Sequence, residues 1–108
     1  MTNAVAIAKL NDAFRANPIL GTTILTTGIR NNSSEDIARI MNKVRNFKDF
    51  NEDNNPYGER DFGVFDFKGQ KIFWKIDYYD RNFEFASPDA ANSSITNRVL
   101  TVMYADEY

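Results

Sequence analysis

Residues 61–80, DFGVFDFKGQKIFWKIDYYD, restrict the fold of this chain more than any other segment. The Lys68-Gly69 pair divides this aromatic-rich stretch into two arms, of about 61–67 and 70–79. On the second arm apolar residues alternate with polar ones, which is typical of a β-hairpin with one buried face. One face would carry Ile72, Trp74, Ile76 and Tyr78, and the other Lys71, Phe73, Lys75, Asp77 and Tyr79. A sheet built around this hairpin is therefore the first expectation.

Two helices are predicted before the hairpin. Apolar residues at helical spacing predict the first over residues 3–16, with its cap at Thr2 or Asn3. The second is expected to begin at Ser33, a residue type that caps helices well, and to end near residue 47 or 50. A single stripe of apolar side chains along this second helix indicates that one side of it packs on a core.

Two further segments are predicted to be strands. Residues 21–29 are rich in β-branched side chains, and residues 96–105 favour a strand over a helix for the same reason. The order α-β-α-β-β-β indicates the α+β class. We expect a single domain over residues 1–108, with an antiparallel sheet of three to four strands and two helices packed on one face.

Composition removes several classes of function. The chain has no cysteine and no histidine, so it lacks thiolate chemistry, the commonest general base and the commonest metal ligand. We expect no cofactor and no metal. The net charge of −2 argues against direct nucleic-acid binding, although a local basic patch is still allowed. No apolar run is long enough to span a membrane and no signal peptide is expected, so we place the chain in the cytoplasm.

Carboxylates and tyrosines around the hairpin form the first candidate site. Glu59, Asp61, Asp77 and Asp80 lie close in sequence to Tyr57, Tyr78 and Tyr79. Such a group could bind a divalent cation or perform acid–base chemistry. Surface carboxylates are more often solvated or paired, and the simpler interpretation pairs Asp77 with Lys75, Lys71 or Arg60 across the sheet.

Aromatic side chains suggest two further surfaces. Phe73, Lys75 and Tyr79 share one strand face and could stack on bases, but such platforms normally accompany a basic groove. We therefore favour a second packed face there, covered by a helix or by a partner. Tyr78, Tyr79, Phe83 and Phe85 with Arg81 could form a protein interface or fill the core.

Several strings occur in order along the chain, from about Leu10 to Tyr108: NDAF, DNNPYGERDFG, FWKIDYYD, SPD and RVLTVMYADEY. In these strings the chain resembles a bacterial family of domains of unknown function, DUF3768. The resemblance implies a small plasmid- or phage-associated protein of a mobile genetic element, and it implies no established activity. The family usually has Asp at the position of Asn55 and His at the position of Arg60. A proton-transfer role for that histidine could not operate in this chain.

Our first hypothesis is a non-enzymatic interaction protein of a mobile element. It would inhibit a host nucleic-acid-targeting defence complex, of anti-CRISPR or anti-restriction type, by protein–protein contact. The absence of a catalytic residue set favours this, and acidic side chains could occupy a positively charged groove. The residues that we expect to contact the partner are Tyr57, Glu59, Asp61, Lys75, Asp77, Tyr79 and Asp80.

Two alternatives stay open at the level of the sequence. The first is a small carboxylate-dependent enzyme, with or without a metal, which would use the same acidic and tyrosine side chains. The second is a homodimeric structural or regulatory module, in which edge strands or an aromatic face pair with a second copy of the chain.

Overall fold

A computed structural model describes residues 3–108. Its helices and strands follow in the order α1 (Asn3–Ala16), β1 (Thr22–Leu25), α2 (Thr27–Arg30), α3 (Ser34–Arg45), β2 (Phe62–Phe67), β3 (Gln70–Tyr79) and β4 (Asn97–Tyr104). The α+β class is confirmed, with one four-stranded sheet in the order β1-β4-β3-β2. The proposed cap at Thr2 lies outside the described residues. None of the helices in residues 3–108 has the length and apolar character needed to cross a membrane.

The predicted hairpin is confirmed, and its turn explains why the register is fixed. β2 and β3 pair in antiparallel fashion, with Phe67 opposite Gln70. The two residues between them, Lys68 and Gly69, have φ angles of 50° and 81°. Positive φ at both positions is what a two-residue turn of the tightest hairpins requires. Lys68 also donates to Asp36 at the start of α3, at 2.8 Å, which ties the turn to the helix layer.

The expectation of a wholly antiparallel sheet needs one correction. β2, β3 and β4 are antiparallel, but β1 and β4 run parallel, with Thr22 opposite Val99 and Leu25 opposite Val102. Parallel neighbours need a long connection between them. The chain supplies it here, because α2, α3 and the whole hairpin lie between β1 and β4 in sequence.

The strand predicted over residues 21–29 is shorter than expected. It ends at Leu25, and Thr27–Arg30 forms the short helix α2. The cause is a contact from the other end of the chain, where the carboxylate of Glu107 accepts hydrogen bonds from the Thr26 hydroxyl and the Gly28 N–H, at 2.7 and 2.9 Å. The side chain of Glu107 lies so close to Gly28 that a Cβ there would overlap it.

The helices pack on one face of the sheet, which we call the closed face. Its core joins Phe14 of α1 and the α3 residues Ile40 and Val44 to sheet residues that include Trp74 and Leu100. Trp74 is completely buried, and its indole lies against Gly63, where any Cβ would overlap the ring. The prediction of two longer helices on one face is therefore confirmed.

The opposite face of the sheet, which we call the open face, carries none of the helices α1, α2 and α3, although Tyr108 at the C-terminal end packs on its Phe73. Strand alternation and the pairing register assign its members as Thr22, Ile24, Phe62, Val64, Asp66, Lys71, Phe73, Lys75, Asp77, Tyr79, Asn97, Val99, Thr101 and Met103. The core cluster that includes the helices contains none of them. Of the two covers expected over Phe73, Lys75 and Tyr79, a helix or a partner, none of the helices α1, α2 and α3 lies there, and a partner stays a prediction.

Candidate functional site

Charged side chains on the open face neutralise one another. Lys75 forms an ion pair with Asp77, and Lys71 lies 3.4 Å from Asp66. The predicted partner for Asp77 is therefore found, although Lys75 is two residues away on the same strand and not across the sheet. The carboxylate raises the pKa of Lys75 through their hydrogen bond, with burial opposing it. The open face consequently presents no net charge.

Apart from Thr22, Asn97 and Thr101, the remaining side chains of the open face are apolar or aromatic, and two of them, Val99 and Met103, are buried. The rings of Phe62 and Phe73 meet edge to face at 5.4 Å, and Phe73 contacts Tyr108 in the same way at 5.7 Å. Ile24 is 47% exposed although it lies within a strand. A groove of about 490 Å³ opens here, lined by Ile24, Thr26, Lys75, Thr101, Met103, Glu107 and Tyr108. Aromatic residues and methionine are enriched at the centres of protein interfaces.

The C-terminal turn, residues 105–107, fixes one wall of this groove. Glu107 accepts hydrogen bonds from the N–H of Tyr104, at 3.0 Å, and from Thr26 and Gly28 of the neighbouring segment. These hydrogen bonds hold the pKa of Glu107 below its usual value, and the bond from the Tyr104 N–H has the largest effect. They also hold Tyr108 beside Phe73. Sequence reasoning missed this anchor, although a Glu three residues after a strand end is a recognisable turn-capping signal.

Three of the expected partner-binding residues, Lys75, Asp77 and Tyr79, lie together on the open face. The segment after β3 extends this surface, because Phe83 packs near Tyr79 with ring centroids 6.2 Å apart and is 54% exposed. Phe85 is 70% exposed. Of the aromatic group that the sequence left between interface and core, these two phenylalanines are therefore on the surface.

The other four expected residues do not join that patch. Tyr57 is 80% exposed on the loop before β2. Asp80 shapes the turn after β3, where its carboxylate accepts from the N–H groups of Asn82 and Glu84. Glu59 lies towards the closed face, since its carboxylate accepts a hydrogen bond from the hydroxyl of Tyr78. Asp61 precedes Phe62 of the open face, so that strand alternation directs it to the closed side.

A buried polar network joins Glu59 to the first helix and the last strand. The Tyr78 hydroxyl donates to Glu59 at 2.9 Å and accepts from the Asn11 amide at 2.8 Å. Arg98 donates to Asn11 Oδ1 at 2.9 Å, and its guanidinium lies over the Tyr78 ring. Sequence reasoning missed Asn11 and Arg98. Asn11 stands on the apolar stripe of α1 between Ile7 and Phe14, which is a readable signal of a buried partner.

Burial sets the protonation states in this network. It raises the pKa of Tyr78 far above its usual value, with the charges of Asp61 and Glu59 adding to the effect. Burial also raises the pKa of Asp61, again with Glu59 and Asp77 contributing, and lowers that of Arg98. Tyr78 is thus held neutral, as a hydrogen-bond donor to Glu59. The hydrogen bonds of Asn11 to Tyr78 and to Arg98 connect α1 to β3 and β4.

No metal centre is built from the side chains described between Asn3 and Tyr108. Among them, no three of the carboxylate, imidazole and thiolate residues come together in a way that could hold an ion. The acidic residues singled out from the sequence are instead divided between the network around Tyr78, the Lys75–Asp77 pair and the turn at Asp80.

The comparisons identify the family. The model of the family described as a protein of unknown function, DUF3768, matches residues 25–107. The chain belongs to this family. The match begins after α1, so the NDAF string that contributed to the expected resemblance lies outside it. No curated protein and no solved structure matches the chain.

Proposed function

We propose that the protein is a non-enzymatic interaction protein that binds a protein partner through the open face. One observation carries the proposal: the helices α1, α2 and α3 lie on one side of the four-stranded sheet, and the other side holds a groove with exposed Ile24 and Tyr108, on a face whose charges are paired. Exposed apolar side chains that are grouped together and rimmed by polar residues often mark binding sites. A partner with a complementary apolar surface would exclude water from Ile24, Phe73 and Tyr108.

The charge balance of this face favours a protein over a nucleic acid. Strand-binding platforms combine aromatic side chains with a basic groove that follows the phosphates. Here each lysine of the face has a carboxylate beside it, within 3.4 Å for Lys71 and Asp66. A phosphate backbone approaching the aromatic residues would meet no excess of positive charge.

For the partner itself, we propose a component of a host nucleic-acid-targeting defence complex, of anti-CRISPR or anti-restriction type. The resemblance to plasmid- and phage-associated proteins supports a mobile-element context, and a small binding domain without a catalytic residue set suits inhibition by contact. This part of the proposal rests on analogy of context. The apolar open face would supply affinity, and exposed carboxylates around it would orient the approach.

Two isoleucines provide a matched test. Ile24 lies on the open face and Ile19 lies in the turn before β1, 85% exposed. In host cells that carry an active defence system, the wild-type protein is expected to restore plasmid transformation or phage growth. Ile24→Glu should abolish that effect, because a charge would be buried in the interface, while Ile19→Glu should retain it. Equal activity of both variants would remove the open face from the proposal.

The homodimer remains the competing occupant of the same face. Light scattering over a range of concentrations distinguishes the two, because a second copy on the open face would double the mass as concentration rises. The expected result is a monomer mass at every concentration of the protein alone. A larger mass is expected only when host protein is added. A dimer that Ile24→Glu dissociates would favour self-association instead.

A carboxylate-dependent enzyme is the second candidate function, and one observation favours it. The carboxyl of Asp61 has a raised pKa, as general acids do, and lies near Glu59. Asp61→Asn and Asp77→Asn test it singly in the same cellular assay. Activity that survives both substitutions would eliminate this candidate, and loss of activity in a folded Asp61→Asn variant would favour it.

A further inference from the structure

A strongly basic pocket lies away from the open face, between α1, the end of α3 and the segment before β2. Its volume is about 390 Å³, and it is lined by Asp12, Arg15, Arg45, Lys48, Phe50 and Arg60. Four positive side chains and one negative give this lining a formal charge of +3, in a chain whose net charge is −2. Small-molecule sites in proteins typically measure about 300–1,000 Å³.

Arg15 gives the pocket a fixed positive charge. Only 6% of this residue is exposed. Its guanidinium donates to the carbonyls of Val44 and Phe47, at 2.7 and 3.2 Å, and to Asp12 at 3.0 Å. Its Nε is buried without a hydrogen-bond partner in the described residues. Burial lowers the pKa of Arg15 and the nearby charge of Arg60 adds to this, while Asp12 opposes both.

Arg60 is held over the pocket by an unusual backbone conformation. Its φ angle is 57°, and its N–H donates to the Asn55 side chain at 2.8 Å. Left-handed conformations at residues other than glycine are often kept at binding sites. The Arg60 guanidinium donates to Asp12 at 2.8 Å. One carboxylate is therefore shared between two guanidinium groups, which leaves positive charge uncompensated.

Arg45 and Lys48 are exposed at the rim of the pocket. Neither forms an ion pair with a carboxylate anywhere in residues 3–108. Both side chains are therefore available to a ligand at little cost, because no existing bond has to be broken. An anion between them would also be attracted by Arg15 and Arg60.

We propose that this pocket binds a small phosphorylated molecule, whose phosphate oxygens contact Arg45, Lys48 and Arg60. Phosphate suits the site because arginine forks bind its oxygens in pairs and its double negative charge would offset most of the +3 charge of the lining. A small molecule fits better than a nucleic acid, since four cations surround a single pocket of about 390 Å³, whereas a strand needs an extended basic track. The site is independent of the open face and of any partner bound there.

Isothermal titration of the full chain tests this proposal, with pyrophosphate, ATP and a short single-stranded oligonucleotide as three separate probes. Saturable binding of pyrophosphate or ATP is expected. Its dissociation constant should rise by about tenfold or more in the double variant Arg45→Glu, Lys48→Glu, because two charge-assisted contacts become repulsive. Lys71→Glu removes an exposed lysine outside the pocket and should bind as the wild type does. Affinity should also fall as salt is added.

Three results would overturn the proposal. They are no saturable binding of pyrophosphate or ATP, binding by the oligonucleotide alone, and an equal loss in the Lys71→Glu control. Circular dichroism establishes that each variant is folded. If the double variant does not fold, Lys48→Ala provides the same comparison, and an unchanged dissociation constant in that variant would count against the site.

Discussion

The closed and open faces of the sheet come from the same strands but differ in how far their side chains are buried. On β3, Ile72, Trp74 and Ile76 are buried under the helices, while Phe73 and Lys75 between them remain partly accessible. Strand alternation makes this division automatic, because neighbouring residues point to opposite sides. Since α1, α2 and α3 cover only one side of the sheet, the other side stays partly accessible, with the closed face as its support.

The largest expected difference between the faces is in stability. Trp74→Ala should lower the free energy of unfolding by about 3–5 kcal/mol, because it leaves a cavity in the closed core. Phe73→Ala, one residue away on the open face, should cost about 1 kcal/mol, since its ring is only partly covered. Urea denaturation measures both losses of unfolding free energy. It is followed by far-ultraviolet circular dichroism, because that signal does not depend on Trp74. Similar losses would mean that the open face is packed after all.

Tyr78 and Tyr79 allow the same comparison of the two faces, with smaller expected changes in the free energy of unfolding. Tyr78→Phe removes the hydroxyl that donates to Glu59 and accepts from Asn11. Leaving these buried groups short of a partner should cost about 1–3 kcal/mol. Tyr79→Phe on the open face should change the unfolding free energy by less than about 0.5 kcal/mol. A chemical denaturation series on both variants checks this, and a larger effect at Tyr79 would contradict the assignment of the network.

A pH-dependent effect at Asp61 should be the smallest of the three. Its pKa is raised in the folded state from an ordinary value of 3.8, so the folded protein holds this proton more strongly than the unfolded chain. Stability is therefore lost as pH rises from about 3.8 through the raised value. Asp61→Asn removes that loss and should raise the melting temperature at neutral pH. The gain should vanish below the ordinary carboxyl pKa, and a variant that melts lower at neutral pH would refute this.

Local sequence patterns predicted the parts of the fold that depend on neighbouring residues. The bounds of α1, the two arms of the hairpin and the cap of α3 at Ser33 follow from spacing, turn chemistry and capping. The end of β1 could not be predicted in this way. It depends on Glu107, which contacts Gly28 across 79 residues of sequence.

The candidate sites were predicted less well than the fold, for the same reason. Lys75, Asp77 and Tyr79 were placed on one face by alternation alone, and the structure keeps them there. The network around Tyr78 needs Asn11 and Arg98, which are 87 residues apart. The basic pocket likewise collects residues from two helices and a loop, and the net charge of the chain gives no indication of it.

Side-chain footprinting tests the central claim about the open face most directly. Hydroxyl-radical labelling of the protein, alone and in the complex captured from host cells, reports the exposure of each side chain by mass spectrometry. Binding through the open face predicts protection of Ile24, Phe73 and Tyr108, with labelling of Ile19 unchanged. Unchanged labelling of the open face, with protection concentrated elsewhere, would contradict the account.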